Sequence, residues 1–338
     1  MARAVAVVFA YHNVGVRCLS VLLAHGVDVA LVVTHQDNPN ETIWFDSVAG
    51  LAALHGIPTI TPDDPNDAAI VDRIAALAPD FIFSFYYRQM LKAPLLAIPP
   101  RGAWNMHGSL LPKYRGRVPV NWAVLHGERE SGATLHRMLE KPDAGGILAQ
   151  QAVPILPDDT AHEVFQKVTV AAEMALDGVL PRLIDGTAVE QKQDLAQGSY
   201  FGGRKPEDGR IDWRQGAAAI HNLVRAVAPP YPGAFSDTPA GELRVLKSFL
   251  PQAGDRIPLS PGTGGEGRSN TTALPSSPPG ERESITASPQ PLLYEDNGAL
   301  YATGGDGRVL RLLEATLDGA PLTAANFAAR CGEKLSLT

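Results

Sequence analysis

The sequence predicts an α/β protein, a mostly parallel sheet domain followed by a smaller β-barrel-like unit. Three observations predict it. Over the first two-thirds of the 338 residues, apolar runs of strand length alternate with stretches of helical spacing, a Rossmann-like pattern. Past Trp213 the pattern changes to short strand signals separated by glycine turns. Between those strands, a tract from 251 to 291 is rich in Gly, Pro, Ser and Thr with few apolar anchors. It reads as a disordered insertion. The expected division is 1–203 and 204–330.

Ala4 to Ala10 is an apolar run of strand length, and Val14 to His25 has helical spacing up to Gly26. Val27 to Thr34 is strand-like. Phe45 to His55 is helical and is ended by Gly56-Ile57-Pro58; Ala68 to Leu77 is helical, with Pro79 as its stop. Phe81 to Phe85 is a buried strand and Gln89 to Ala97 a helix. The strand Ala103 to His107 follows, then a loop punctuated by Pro112 and Gly116. Gly132 to Leu139 and Ile147 to Ile155 are strand-like. Pro142-Asp143-Ala144-Gly145-Gly146 between them reads as a hairpin connection. Thr160, with Glu163 three residues on, is a capping box for a long helix from Ala161 to Asp185. Gly198 to Gly203 and Lys205 to Gly209 read as a linker. A helix from Ala217 to Ala228 and strand signals near Ala234, Glu242, Leu292, Ala299 and Arg308 complete the second unit.

Composition removes several classes. Charged residues are 19% and hydrophobic ones 45%, as in ordinary globular proteins, and the net charge of −7 argues against a broad nucleic-acid footprint. Cys18 and Cys331 supply neither a disulfide framework nor a metal cluster, so no metal is expected. No secretory leader and no run of membrane-spanning length is read, which predicts a cytoplasmic enzyme. The first strand-helix turn, Ala10-Tyr11-His12-Asn13-Val14-Gly15, is not a Gly-x-Gly-x-x-Gly loop, which argues against a dinucleotide site.

The chemistry-bearing stretch is Ala103 to Arg117. Asn105 and His107 are two apart on a strand and share a face. An amide can stabilise an oxyanion and an imidazole can move a proton. Lys113, Arg115 and Arg117 make the following loop basic around Tyr114, suited to an anionic substrate. Asp143, at the hairpin end, could orient and charge-stabilise His107, raising its pKa. Each residue also has a plainer reading: a strand-end histidine is often structural, and an aspartate in such a turn often serves its own backbone. Trp104 and Met106 face the other way, into the core.

Asn105-Met-His107-Gly-Ser-Leu-Leu-Pro-Lys-Tyr-Arg-Gly116 with Asp143-Ala-Gly-Gly-Ile-Leu-Ala-Gln150 resembles the signature of the folate-dependent formyltransferases. The likeness is nearest to the formyltransferase domain of the bifunctional UDP-4-amino-4-deoxy-L-arabinose formyltransferase of lipid A modification; its decarboxylase half has no counterpart here. It includes Thr34 to Pro39, Phe83 to Arg88 and His136 to Met138, and returns at His221 to Val227 and Pro232 to Phe235. The resemblance implies a formyltransferase domain at 1–203 and a C-terminal barrel-like domain at 204–330. Asn105, His107 and Asp143 would be catalytic. Gln89, Met90, Leu91, Arg117, Leu139, Glu140, Lys141, Pro142 and Asp143 would hold the co-substrate, 10-formyltetrahydrofolate. Tyr114 and Arg115 would touch the acceptor, a nucleotide-linked amino sugar, and a homodimer would be expected. Two other readings stand beside it. Methionyl-tRNA formyltransferase shares the plan but needs a basic surface, and the segment between Gly26 and Phe45 carries no Lys or Arg. A non-catalytic folate-binding protein would have no need of an intact Asn105, His107 and Asp143.

Overall fold

A computed structural model describes residues 3–39, 41, 43–251 and 290–337. Apart from its end residues, the tract at 251–291 lies outside the described residues. The chain divides into two compact units: Met1–Ala123 with Glu128–Ile155 and Glu163–Gly203, and Val124–Gly127 with Leu156–His162 and Arg204–Thr338.

The first unit alternates strand and helix, as predicted apart from the two-residue β3: β1 (Val5–Ala10), α1 (His12–Ala24), β2 (Asp28–Val33), α2 (Val48–Leu54), β3 (Thr59–Ile60), α3 (Ala68–Ala76), β4 (Phe81–Phe85), α4 (Ala93–Leu96) and β5 (Ala103–His107). Then come β6 (Arg115–Gly116), α5 (Pro119–Leu125), β7 (Glu130–Arg137), β8 (Ile147–Pro154), α6 (Ala161–Asp185) and β9 (Tyr200–Phe201). The main sheet has the order β3-β2-β1-β4-β5-β7-β8. β3 through β5 run parallel; β7 and β8 add an antiparallel hairpin, because the short turn at 138–146 cannot carry a crossover.

Besides shifts of one or two residues at several ends, three features differ from the sequence reading. α2 begins at Val48, not Phe45, because Ser47 accepts the Gly50 N–H and caps it. Only Ala93–Leu96 of the predicted helix from Gln89 to Ala97 is helical: Asn66 accepts the Lys92 N–H and donates to the Met90 carbonyl, tying that turn to a neighbouring loop. The supposed linker at Gly198 to Gly203 contains β9, which pairs in parallel with β6 and is part of the first unit.

One face of the sheet packs Val7, Phe9, Leu31, Val33, Ile82 and Ala103 against Ile74 and Leu95. The core reaches up to Tyr87, whose ring meets Phe9 edge-on at 5.3 Å and whose hydroxyl donates to Gln89 at 3.1 Å. Core packing thus sets the turn after β4, where open α/β sheets carry their sites.

The second unit holds α7 (Ala217–Ala226), β10 (Ala234–Thr238), β11 (Gly241–Phe249), β12 (Leu292–Asp296), β13 (Ala299–Thr303), β14 (Val309–Leu317), β15 (Ala320–Leu322), α8 (Ala324–Cys331) and β16 (Lys334–Ser336). Its antiparallel sheet, ordered β10-β11-β14-β13-β12-β16 with β15 beside β14, curls as a half-barrel around Trp213, Leu243, Leu310 and Phe327. The last helix and strand escaped the sequence reading, since each is short and only the tertiary core makes it pay. No helix among the described residues is long and apolar enough to cross a membrane.

Phe9 is fully buried under Tyr87. Phe9→Ala should lower unfolding stability by about 3–5 kcal/mol, measured by denaturant titration, without changing the sheet content seen by circular dichroism.

Candidate active site

Register brings the polar side chains together. Asn105 on β5 lies directly opposite His136 on β7, and His107 opposite Thr134. Opposed residues on paired strands share a face, so Asn105, His107, Thr134 and His136 make one polar patch at the carboxyl end of β5. Trp104 and Met106 point to the other face, as predicted, and are buried; the Arg137 guanidinium lies 4.4 Å over the Trp104 ring.

The hydrogen-bond partners settle the proton positions. His107 Nε2 is 2.8 Å from the Tyr114 carbonyl oxygen. A carbonyl only accepts, so Nε2 carries the proton and Nδ1 is the basic atom. That Nδ1 is 3.6 Å from Asp143 Oδ1. His136 Nδ1 is 2.9 Å from the Arg137 carbonyl and by the same logic donates. Its Nε2 then accepts from Asn105 Nδ2 at 3.0 Å, which aims the Asn105 amide and leaves its second N–H for a ligand. His136 was absent from the sequence-level site. Its signal was a histidine within a strand, which becomes informative only with the register.

Asp143 sits in the turn between β7 and β8, as the hairpin reading required. Its φ of 52° lies in the left-handed region that non-glycine residues seldom adopt. The turn is tight at Gly145: a Cβ there would stand 2.0 Å from the Arg137 carbonyl oxygen, so only glycine fits. Oδ2 of Asp143 accepts the Gly116 N–H at 2.8 Å, and Oδ1 is 3.5 Å from His136 Nε2. Behind His107, Thr134 Oγ1 donates to the Ser109 carbonyl and accepts from Leu111 N–H and Gln150, so the loop cannot drift.

Burial would raise the Asp143 pKa. The charge of protonated His107 and the Gly116 N–H outweigh it and hold the carboxyl at about 2. For His107 the balance is reversed. Burial lowers its pKa, and Asp143 and the Tyr114 carbonyl only partly offset that. Asp143 therefore supports the imidazolium and raises its pKa, as expected, but burial outweighs it and leaves the ring below the ordinary value; the sequence could not register how completely the ring is enclosed. The resting pair is a carboxylate beside a neutral imidazole.

A cavity of about 850 Å³ opens over this patch, a size suited to a small-molecule ligand. Asn105, His107, His136 and Asp143 line it together with Gln89, Met90, Leu91, Arg117, Leu139 and Pro142. Glu140 and Lys141 are exposed and stand outside the lining. Tyr114 and Arg115 stand outside it too. The Tyr114 ring is buried, stacks on Phe201 at 5.4 Å and donates its hydroxyl to Glu128 at 2.8 Å, so this residue serves His107 through its backbone. Arg115 pairs its backbone with Tyr200, and its Nε is buried without a hydrogen-bond partner.

Followed by NMR, the His107 ring should titrate below the ordinary histidine value of 6.5. In Asp143→Asn, where the anion that raises it is gone, it should titrate lower still; an upward shift would contradict the charge assignment.

Two family models match in succession: "Formyl transferase" over residues 14–180 and "Formyl transferase, C-terminal domain" over 204–332. The fold is similar to that of the N-formyltransferase from Helicobacter canadensis solved with folinic acid and dTDP-3-aminofucose (TM-score 0.63, 21% identity, 92% of this chain and 99% of that one). It is similar to WlaRD, a sugar 3N-formyl transferase solved with dTDP and 5-N-formyl-THF (TM-score 0.65, 19% identity, 94% and 99%). HypX from Aquifex aeolicus with tetrahydrofolic acid matches at TM-score 0.58 and 16% identity over 97% of this chain and 47% of that one. With both models matched in order, and the motif residues gathered at the carboxyl end of β5, the chain belongs to the formyl transferase family.

Proposed function

We propose that this chain transfers a formyl group from 10-formyltetrahydrofolate to the primary amine of a nucleotide-linked amino sugar. The observation that carries the reading is the convergence of Asn105, His107 and Asp143 on one wall of the apolar cavity. Two similar folds were solved with reduced folates together with a thymidine diphosphate or its amino sugar, which supports the substrate class.

The cavity fits a reduced folate in chemistry. Met90, Leu91, Met138 and Leu139 offer apolar surface for a flat ring system, and the turn at Gln89 to Leu91 offers backbone groups to its polar edge. Arg117, with no ion pair among the described residues, is a cation for an anionic group. Asn105 would place its free amide N–H at the formyl oxygen. As the acceptor nitrogen bonds to the formyl carbon, that oxygen becomes negative, and one such donor is worth roughly 3 kcal/mol in a site closed to water. His107 Nδ1 takes the proton the nitrogen sheds. Asp143 and the Tyr114 carbonyl stabilise the imidazolium, which returns the proton to the departing folate nitrogen as the old carbon–nitrogen bond breaks. A neutral resting imidazole, kept so by burial, is the state this sequence of steps requires.

The finer choice of acceptor rests on the loop from Lys113 to Gly116, which inclines to UDP-4-amino-4-deoxy-L-arabinose, against the thymidine-linked sugars of the similar folds. Tyr114 is spent on holding His107, so the loop's likeness to the arabinose enzyme follows from architecture as well as from any acceptor. The test is formyl transfer by the purified protein to a UDP-linked 4-amino sugar, a thymidine-linked 4-amino sugar and charged initiator tRNA. Turnover of a nucleotide sugar and not the tRNA is expected. Turnover of the tRNA alone would replace the acceptor class, and folate binding without turnover would make this a binding protein. His107→Ala should cost about 10²–10⁴-fold in kcat; unchanged kcat would remove His107 from the mechanism.

A further inference from the structure

The segment from Glu190 to Phe201 follows the last helix of the first unit and has the composition of a connector. Its contacts are not those of a connector. His107 has two partners, the Tyr114 carbonyl on Nε2 and Asp143 beside Nδ1. Both partner residues are non-glycine residues at positive φ, Tyr114 at 56° and Asp143 at 52°. Such conformations persist only where the surroundings over-determine them. Both are held from this one segment.

Gln193 holds the Asp143 turn. It is 7% exposed, and its Nε2 donates to the Asp143 carbonyl at 3.1 Å and to the Gly145 carbonyl at 2.5 Å. Its Oε1 is buried with no hydrogen-bond partner among the described residues, so the side chain's hydrogen bonds there all go into that turn. Ser199 holds the other side. Its Oγ accepts the Tyr114 N–H at 2.8 Å and its carbonyl accepts the Arg115 N–H at 3.0 Å. The Phe201 carbonyl takes the Arg117 N–H at 3.0 Å, and Gln191 pairs with Ile147 in both directions at 2.7 Å. Ile147 opens β8 just past the Asp143 turn, so the segment grips that turn from both ends.

We propose that this segment is a positioning strap for the catalytic set, with Gln193 acting on Asp143 and Ser199 acting on His107 through the Tyr114 carbonyl. The proposal rests on the catalytic reading of His107 and Asp143 given above. Gln193 and Ser199 are positioning residues, since neither lines the cavity. A displacement of about 1 Å at a reacting group can cost about 10²-fold in rate. The loss from freeing one side of the pair should accordingly fall in kcat and leave the folate-binding wall untouched.

The test is a double-mutant cycle on the full chain, with kcat and KM measured for 10-formyltetrahydrofolate and the responding amine. Gln193→Met keeps the side-chain volume and removes both donated bonds. It should lower kcat about ten-fold with KM within about two-fold. On an Asp143→Asn background it should cost nothing further, because the residue it positions is already disabled. Unchanged kcat in Gln193→Met, or a loss that multiplies with that of Asp143→Asn, overturns the strap. An Asp143→Asn protein as active as the parent would instead defeat the catalytic reading itself, so the two failures are distinguishable. Should Gln193→Met fail to fold, Ser199→Ala and Ser199→Thr decide the matter: the first should lose kcat and the second, which keeps the hydroxyl, should recover it. Equal kcat in both overturns the proposal.

Discussion

The carbonyl oxygen of Tyr114 decides what His107 can do. By accepting from Nε2 it makes Nδ1 the basic nitrogen, and Nδ1 is the atom that stands beside Asp143. Everything around that bond works to keep it. The loop from Gly108 must turn back so that a main-chain oxygen seven residues on meets the ring. Tyr114 takes a left-handed conformation to present it, and the Tyr114 side chain is buried on Phe201 and Glu128 so that the backbone cannot swing away. With the other tautomer the carbonyl would face a lone pair, and the geometry would have no base to offer.

The second constraint is dielectric. Four polar side chains share a nearly enclosed wall, where an unpaired charge is costly and a well-aimed dipole is strong. Asp143 stays ionised because the Gly116 N–H donates to it and a proton in this pair goes to His107 before the carboxylate, while His107 rests neutral because burial outweighs that one anion. In the proposed reaction, the same enclosure that depresses the imidazole would make the Asn105 N–H worth more to a developing oxyanion than it is in water. His136 ties the two halves: it accepts from Asn105 and stands within reach of Asp143, so the Asn105 amide and the His107–Asp143 pair share one frame.

Much of this was legible in order along the chain. Apolar runs specify β1, β2 and β4 because a strand buried on both faces is apolar nearly throughout, as Phe81–Phe85 is but for Ser84; the two-residue β3 gave no such run. Period-two spacing put Asn105 and His107 on one face, and Pro-Asp-Ala-Gly-Gly announced the hairpin that carries Asp143. His136 was not legible, since a histidine within a strand says nothing until the strand opposite is known. Gln193 and Ser199 were not either: their partners lie 50 and 85 residues away, and a polar stretch with glycines reads as linker. Tyr114 was legible as belonging to the site but not as a backbone contributor.

The sequence by itself determined the α/β class and offered the amide, the imidazole and the carboxylate as candidates, because those follow from periodicity, turn chemistry and residue type. Only the tertiary structure decided the register that sets Asn105 against His136, the tautomer of His107 and the direction of its pKa. These depend on which carbonyl arrives at which nitrogen and on how much water is excluded. Both are sums over residues distant in the chain, which no local pattern encodes.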